Sequence, residues 1–430
     1  MTGVALSSLH RGACPGLSAP MLTGDGLLVR LLPSGTMSRD AFRTLCTAAQ
    51  EYGNGVIEIT ARGSIQIRGL TAASAARFAA TIAESGIAAA DAPPVLSSPL
   101  AGLAANEILD ASALAEALRQ ALVKTSLPPR LSPKLSVVID GGGALNLDHL
   151  SADVRLCAES TDGEPAIRIS VAGDHASALM LGMIALDRAI EVTLILLDAI
   201  CRSGHDARAR DIVAADGGAE FRTTIADFLI PDRSPAARTP RQSNDPIGDH
   251  ALRDGPFARG FGLAFGHAEA KALAGLIEAA AGAGATGVRA APGRALLVVG
   301  LTQVAAATLA ATAETNGFVV RPDDPRRFVF ACAGAPVCSS AHIAARTLAP
   351  RLAEIAAARL GPKFDLHISG CVKGCAHPQA AALTIVGTDA GSALIARGNT
   401  RGTPVALISS EELPDVIAQH AAQQDEDQYV

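Results

Sequence analysis

The chain repeats itself at long range, and this constrains its fold more than any local pattern does. Gly55-Val56 and Gly69-Leu70, followed by the alanine-rich run 72–87, recur as Gly287-Val288 and Gly300-Leu301, followed by 304–318, at an offset of 231 to 232 residues. Within those runs Ala75, Ala76, Ala79, Ala80, Thr81 and Gly86 meet Ala306, Ala307, Ala310, Ala311, Thr312 and Gly317. A supersecondary unit too small to bury its own apolar face can do so against a copy of itself. In the first copy, residues 27–33 read as a strand and 39–52 as a helix with apolar residues at helical spacing. Residues 56–68 then alternate apolar Val56, Ile57, Ile59, Ile65 and Ile67 with polar Glu58, Thr60, Gln66 and Arg68, the pattern of a half-buried hairpin turning at Arg62-Gly63. The second copy keeps this order. We therefore expect an α+β fold with two ferredoxin-like halves related by a pseudo-twofold axis.

Around the two copies lie segments that read as mixed α/β units. In the first, a helix covers 111–123, strands cover 135–140 and 166–171, and helices fill 176–200. In the second, a helix covers 341–359 and a strand, turn and strand arrangement runs from 364 to 408. Residues 231–256 (PDRSPAARTPRQSNDPIGDHALRDGP) lack both hydrophobic periods and read as a linker. The expected division is a ferredoxin-like half over 20–90, a mixed α/β domain over 91–230, the linker over 231–256, a second ferredoxin-like half over 257–320 and a last domain over 321–430.

Charge and composition remove several functions. With 36 Lys plus Arg against 42 Asp plus Glu, the net charge is −6, which disfavours a basic nucleic-acid binder. No Trp and two Tyr leave few platforms for stacking bases. An apolar fraction of 49% with 18% charged residues excludes a disordered chain. The first residues, MTGVALSSLHRGACPG, lack the basic and then apolar segments of a secretory signal. The most apolar stretch, 179–200, is interrupted by Asp187, Arg188, Glu191 and Asp198 and so does not read as a membrane span. A cytoplasmic protein with no membrane or nucleic-acid partner is expected. Gly141-Gly142-Gly143 lacks both the GK[ST] and the GxGxxG contexts, so no nucleotide site is assigned.

Eight cysteines are too dilute for a disulfide scaffold, yet four of them cluster. Cys332 and Cys338 are separated by five residues (ACAGAPVCSS), Cys371 and Cys375 by three (SGCVKGCAHP). Soft thiolates select zinc or iron–sulfur clusters. Zinc knuckles favour two to four intervening residues, so the five-residue gap leans toward a 4Fe-4S cube. Gly334, Pro336, Gly370 and Gly374 let the backbone bend closely around sulfur. Cys14, Cys46, Cys157 and Cys201 are scattered singly, as structural thiols usually are.

The x5 and x3 cysteine spacings, the strand-turn LVRLLPSG, the hairpin TARGSIQIRG and the duplicated halves resemble the siroheme-dependent sulfite and nitrite reductases over nearly the whole chain. That resemblance implies a 4Fe-4S cluster on Cys332, Cys338, Cys371 and Cys375 in the last domain. Cys375 would also be the axial ligand bridging to siroheme iron. It further implies that Arg30, Arg62 and Lys134 hold tetrapyrrole carboxylates, with the 91–230 domain contributing to the tetrapyrrole site. Two departures stand out: Ser136 occupies the place of a second lysine expected two residues after Lys134, and Pro93 and Pro94 occupy that of an arginine expected before VLSSPLAG.

The segments RGACPGLSAPMLTGDGLLVRL, SPLAGL and SGCVKGCAHP together resemble the oxygen-dependent precorrin-3B synthase branch of that superfamily. Membership there implies a monooxygenase that hydroxylates precorrin-3A and closes the ring A lactone with dioxygen in cobalamin biosynthesis. Its electrons would come from an external donor, NADH through a separate reductase, and a non-haem iron is implied beside the cluster. A reduced tetrapyrrole substrate would then occupy the siroheme cradle. Two other functions stay open at this point: a short siroheme-dependent sulfite or nitrite reductase, and a non-catalytic iron–sulfur tetrapyrrole carrier. His377, beside Cys375, reads equally as a neighbour of the cluster or as a structural histidine, and Lys373 as a charge that stabilises thiolates or faces water.

Overall fold

The computed structural model describes residues 15–88, 94–161, 164–231, 245–361, 363–409 and 411–418. Cys14, Pro93 and the stretch 232–244 of the expected linker lie outside them. The first unit contains β1 (Met21–Thr23), β2 (Gly26–Leu31), β3 (Met37–Ser38), α1 (Arg39–Tyr52), β4 (Val56–Ile59), β5 (Ile65–Leu70) and α2 (Ala72–Glu84). The second contains β6 (Val95–Ser97), α3 (Ala111–Val123), β7 (Val137–Asp140), β8 (Ala152–Thr161), β9 (Glu164–Gly173), β10 (Leu179–Ala185), α4 (Ala189–Arg202), α5 (Ala209–Asp216) and α6 (Ala219–Thr224). A third unit repeats the first: β11 (Gly248–Ala251), β12 (Phe257–Gly262), β13 (His267–Glu269), α7 (Ala270–Gly282), β14 (Gly287–Ala291), β15 (Ala295–Leu301) and α8 (Gln303–Thr315). The fourth repeats the strand and first-helix order of the second: β16 (Val329–Ala331), α9 (Ala345–Leu360), β17 (Leu366–Ser369), β18 (Ala381–Thr388), β19 (Gly391–Gly398) and β20 (Ala406–Ile408).

The two ferredoxin-like sheets are built by reciprocal exchange. Their strand orders are β1-β2-β5-β4-β13 and β11-β12-β15-β14-β3. The short strand before α7 thus completes the first sheet, and the short strand before α1 completes the second. Helices α1 and α7 pack together, and one apolar core runs through both units, from Phe42, Ile67 and Phe78 to Leu273, Val298 and Leu309. Local sequence sets the helix starts. Ser38 caps α1 by accepting from Ala41 N at 3.1 Å, and Thr71 and Ser74 form a reciprocal capping box on α2.

The other two sheets, β10-β9-β8-β7-β6 and β16-β17-β18-β19-β20, share one topology: three parallel strands followed by two antiparallel ones. The duplication therefore extends to these units, where composition alone did not reveal it. The loops after β7 and β17 correspond in length, and Leu145 takes the left-handed conformation (φ 57°) that Gly374 takes (φ 63°) in the other copy. Asn146 thus stands where the fourth unit has Cys375, and Ser98, directly after β6, where it has Cys332 after β16.

Three expectations are corrected. The run 176–200 is not all helix: its first part is strand β10, whose Leu181, Met183 and Ile184 are buried against β9 and its neighbours, and α4 begins only at Ala189. The expected linker contains strand β11, because Gly248–Ala251 pairs with β12 and buries His250, an alternation too short to register as a period. The helix expected from 341 starts at Ala345, since residues 332–344 are drawn into turns. Among the described residues no helix is long and apolar enough to cross a membrane.

Candidate functional site

Strands β16 and β17 run parallel, connected through α9, so the two loops that leave their carboxyl ends lie side by side. Open α/β sheets bind ligands at such ends. The loop after β16 carries Cys332 and Cys338, and the loop after β17 carries Cys371 and Cys375, which brings the four thiols together. Backbone bonds knit the loops: His342 N donates to Gly370 O at 2.8 Å, Ala335 N to Ile343 O at 2.9 Å, and Cys338 N to Gly334 O at 2.9 Å. The Gly370 amide donates to Cys332 Sγ at 3.0 Å, the kind of bond that stabilises a thiolate or tunes a cluster. Gly334 is required on two grounds. Its φ is +69°, and a Cβ there would sit 2.4 Å from Ala345 N.

Burial pushes the Cys332 thiol up, with the amides of Gly370 and Gly334 pulling the other way and the neighbouring Cys371 and Cys338 adding to the rise. Cys375 is also pushed up by burial and by the other thiols, while Arg68 opposes the shift. This mutual influence is what four sulfurs around one space produce. Among the described residues no group of three or more His, Cys, Asp or Glu side chains is placed to hold a single metal ion. Four cysteine thiols on two adjoining loops are a donor set that fits a 4Fe-4S cube.

The fourth unit rests on the first through the turn between β1 and β2. Ser339 N donates to Gly24 O at 2.9 Å, and a Cβ on Gly24 would stand 2.4 Å from Cys338 Sγ. Asp25 fixes that turn. Arg68 donates to it through Nε (2.8 Å) and Nη2 (2.7 Å), with Asp25 almost fully buried. Burial alone would raise the Asp25 carboxyl, but the bonds from Arg68 outweigh it and hold it below its ordinary value.

From Arg68 a polar row crosses the same sheet face. The strand registers place Arg30 opposite Gln66, Gln66 opposite Glu58 and Glu58 opposite His267. With its amide oriented to suit both neighbours, Gln66 accepts from Arg30 Nε at 3.0 Å and Nη2 at 2.6 Å, and donates to Glu58 at 3.0 Å. Glu58 also pairs with Arg346 on α9, and Arg68 lies 3.9 Å from it. Burial, reinforced by Arg346, pushes His267 down to about 4, so it is neutral. The hairpin's polar alternation reads as an outward face, yet Gln66, Glu58 and Arg68 are largely covered. The signal for the site was thus present as polarity on a strand face.

Arg62 stands at the hairpin tip and reaches the second unit, donating through Nη1 to Ser151 O at 3.0 Å and through Nη2 to Ser136 Oγ at 3.3 Å. Ser136 is buried and held by Asp153, which is itself gripped by Arg208 through two 2.8 Å bonds. Lys134 is exposed two residues before Ser136. Lys134 thus stands two residues from Ser136, the partner of Arg62, whereas Arg30 belongs to the polar row on the sheet. His377 stacks on Phe330 with ring centroids 4.2 Å apart, and buried His367 meets it edge-on at 5.7 Å. Lys373 is exposed and donates to Ser340 Oγ at 2.8 Å.

The pseudo-symmetric face of the other ferredoxin-like sheet is closed. Arg289, which the strand registers set in the place of Glu58, one residue off the Gly-Val match of the sequence repeat, is buried and donates to Thr36 Oγ1 (2.6 Å), Pro99 O (3.1 Å) and Ala101 O (2.7 Å), and Leu100, Leu145, Leu252, Leu297 and Val299 belong to the apolar cluster on that face. Duplication supplied two faces, and one of them is polar and bears cations.

Similarity to known proteins agrees with this geometry. Residues 19–85 match the nitrite/sulfite reductase ferredoxin-like half domain. Over 421 residues, 97% of this chain and 90% of the relative, the sequence is 39% identical to a precorrin-3B synthase from Sinorhizobium sp. It is 23% identical to a ferredoxin–nitrite reductase from Synechococcus elongatus, over 88% of this chain and 79% of that protein. The solved structure of the Mycobacterium tuberculosis NirA protein shares the fold, with a TM-score of 0.73 and 22% identity, covering 91% of this chain and 79% of that one.

Proposed function

Because the chain belongs to the precorrin-3B synthase family, we propose that it is a cytoplasmic monooxygenase that hydroxylates precorrin-3A with dioxygen and closes the ring A lactone in cobalamin biosynthesis. Cys332, Cys338, Cys371 and Cys375 would hold a 4Fe-4S cluster, which when bound supplies single electrons drawn from an external donor, NADH through a separate reductase. One oxygen atom enters the product and the other leaves as water, so each turnover takes two electrons and two protons.

The chain's own residues bind and orient. Arg62 and Lys134 near Ser136, and Arg30 on the sheet, meet the acetate and propionate groups of a reduced tetrapyrrole through charge-assisted bonds. Arg62 is held by Ser136 and Ser151 before substrate arrives, which lowers the cost of ordering it. The observation that carries the reading is at Ser136. The basic pair is kept, but a hydroxyl already bonded to Arg62 stands where the reductases resembled here present an ammonium group. Such a pair can hold carboxylates but lacks that proton donor for sulfite or nitrite. Siroheme, which the resemblance would place against Cys375, gives way to substrate in this reading. No step is derived through a further iron, for which the described residues offer no triad.

Anaerobically purified protein tests this in one preparation. Expected are about four irons and four labile sulfides, a cluster EPR signal on reduction, no siroheme bands, and oxygen-dependent conversion of precorrin-3A. Ser at Cys332 or Cys371 removes the cluster, and Ser at Cys46 or Cys201 leaves it. Bound siroheme with rapid sulfite or nitrite reduction would overturn the proposal.

A further inference from the structure

We infer that Arg294, at the hairpin tip between β14 and β15, is a positioning residue for the proposed cluster: it bridges the two cysteine loops and supplies a positive charge that favours the cluster's reduced state. The inference rests on the cluster reading above and gives a role to a residue outside it.

The hairpin tips of the two ferredoxin-like units meet, Gly293 N donating to Ala61 O at 3.1 Å. From that junction each unit sends out one arginine. Arg62 reaches the second unit at Ser136 and Ser151, and Arg294 reaches the fourth at the cysteine loops. Arg294 Nη2 donates at 3.3 Å to the carbonyl of Ala376, the residue after Cys375. Its guanidinium carbon lies 4.2 Å from the centre of the Phe330 ring, two residues before Cys332. One side chain thus touches the chain next to a ligand on each loop. The rest of the residue is fixed. Leu263 N donates to Arg294 O at 3.0 Å, a Cβ on Gly266 would stand 2.7 Å from Arg294 Cδ, and the backbone is held at φ +62°. A left-handed residue other than glycine persists only where its surroundings over-determine it, and such residues gather at functional sites.

Charge is the second observation. Neighbouring arginines of the site have carboxylate partners: Arg68 has Asp25, and Arg346 has Glu58. Arg294 forms no ion pair among the described residues. Burial pushes it down to about 10, and Asp365, beyond ion-pair reach, opposes the shift. A largely covered cation with so little compensation is costly unless an anion faces it. Four thiolates supply that negative charge once a cluster is bound, and reduction adds one unit more. One electron enters and no bond forms or breaks, so a fixed cation beside the loops stabilises the reduced state over the oxidised one.

The test uses the cluster-loaded full chain and reads the midpoint of reduction in an EPR-monitored titration with dithionite. Arg294→Gln should lower the equilibrium constant for reduction by about tenfold or more, equivalent to about 59 mV for one electron, with iron and sulfide content retained. Arg294→Lys keeps a cation at that place and should recover part of the loss at neutral pH. It should lose that recovery as the pH is raised to about 9, because a covered amine gives up its proton where the parent's guanidinium does not. Arg321→Gln, which removes an exposed arginine, should leave the midpoint where it is. An equilibrium constant in Arg294→Gln within about twofold of the parent's overturns the inference, as does an Arg294→Lys midpoint equal to that of Arg294→Gln at every pH. If Arg294→Gln takes up no cluster, Arg294→Lys decides alone: a midpoint that falls with pH against a level parent supports the inference, and a level one overturns it. Weakened binding of a reduced tetrapyrrole to Arg294→Gln with the midpoint unmoved also overturns it, and assigns the residue to a substrate carboxylate. If the parent protein shows no cluster signal, the cluster reading fails and the inference with it.

Discussion

Arg62 shows how a single side chain joins two units of the fold. Two of its donors are satisfied by Ser136 and Ser151, so its plane is set by the second unit although its backbone belongs to the first. Charge-assisted bonds contribute about 1.5–3 kcal/mol each, so Arg62→Ala should weaken binding of a reduced tetrapyrrole by about one to two orders of magnitude in a fluorescence titration. The cluster spectrum should not change, and Arg62→Lys should recover only part, because an ammonium group cannot reproduce a planar two-donor contact. In the closed copy of the site the informative residue is Glu107, whose side chain is 1% exposed and accepts from Gly102 N at 2.8 Å. Burial raises its pKa from 4.5 to about 7. The folded state therefore binds the proton more tightly than the unfolded chain, so this group favours folding at low pH and the benefit is lost as pH rises from about 4.5 to about 7. Glu107→Gln should remove that part of the pH dependence of the melting temperature. A Tm profile unchanged by the substitution would show that the carboxyl is not buried as described. The family resemblance implies the role of Arg62 but not its bonds to Ser136 and Ser151, and nothing in the sequence singles out Glu107.

Among elements, the turn between β1 and β2 is the most exacting. Gly24 has no room for a Cβ: Cys338 Sγ would be 2.4 Å away and the amides of Ser339 and Ser340 3.3 Å away. Gly24→Ala should thus displace Cys338, a ligand of the proposed cluster, without unfolding the sheet, lowering iron and sulfide content while far-UV circular dichroism stays native. A fully loaded Gly24→Ala protein would refute the contact. The sequence pattern around this turn carried much of the fold: the hairpin 56–68, helices α1 and α3, and the ferredoxin-like duplication all follow from periodicity and repeat. What it did not carry has physical reasons. Strand β10 and helix α4 lie in one apolar-rich stretch, parted only by Asp187 and Arg188, in which strand and helix periods are hard to separate. The relation between the second and fourth units survives in topology and in the paired conformations of Leu145 and Gly374, not in side chains. The four cysteines stood out because their spacing is chemical rather than structural, whereas Gln66, Glu58 and Arg68 were hidden by alternation that ordinarily means solvent.

For the whole molecule, the exchange of β3 and β13 means that neither ferredoxin-like unit is a closed structure. Each sheet takes an edge strand from the other, and Phe42, Phe78, Leu273 and Leu309 belong to one apolar core. Separating the units would leave an uncovered sheet edge and a wide apolar face on each, and such edges pair or aggregate. The inter-unit contacts at the site add to this dependence, since Arg346–Glu58 and the Gly24–Ser339 bond tie the fourth unit to the first, and Arg62–Ser151 ties the first to the second. Residues 15–231 and 245–418 expressed alone should therefore each be poorly soluble or lack a sharp thermal transition. Co-expressed, the two fragments should assemble one to one, because the backbone bonds of both exchanged strands and the shared core need no covalent connection between 231 and 245. The assembled pair should bind the cluster and melt in a single transition, at a lower temperature that depends on concentration, as expected when association and folding are linked. Size-exclusion chromatography with calorimetry checks this. A first fragment that folds by itself, with a cooperative transition near that of the intact chain, would mean that the exchanged strands are ornaments on two independent domains, and the pseudo-symmetric core would lose its place as the element that positions the site.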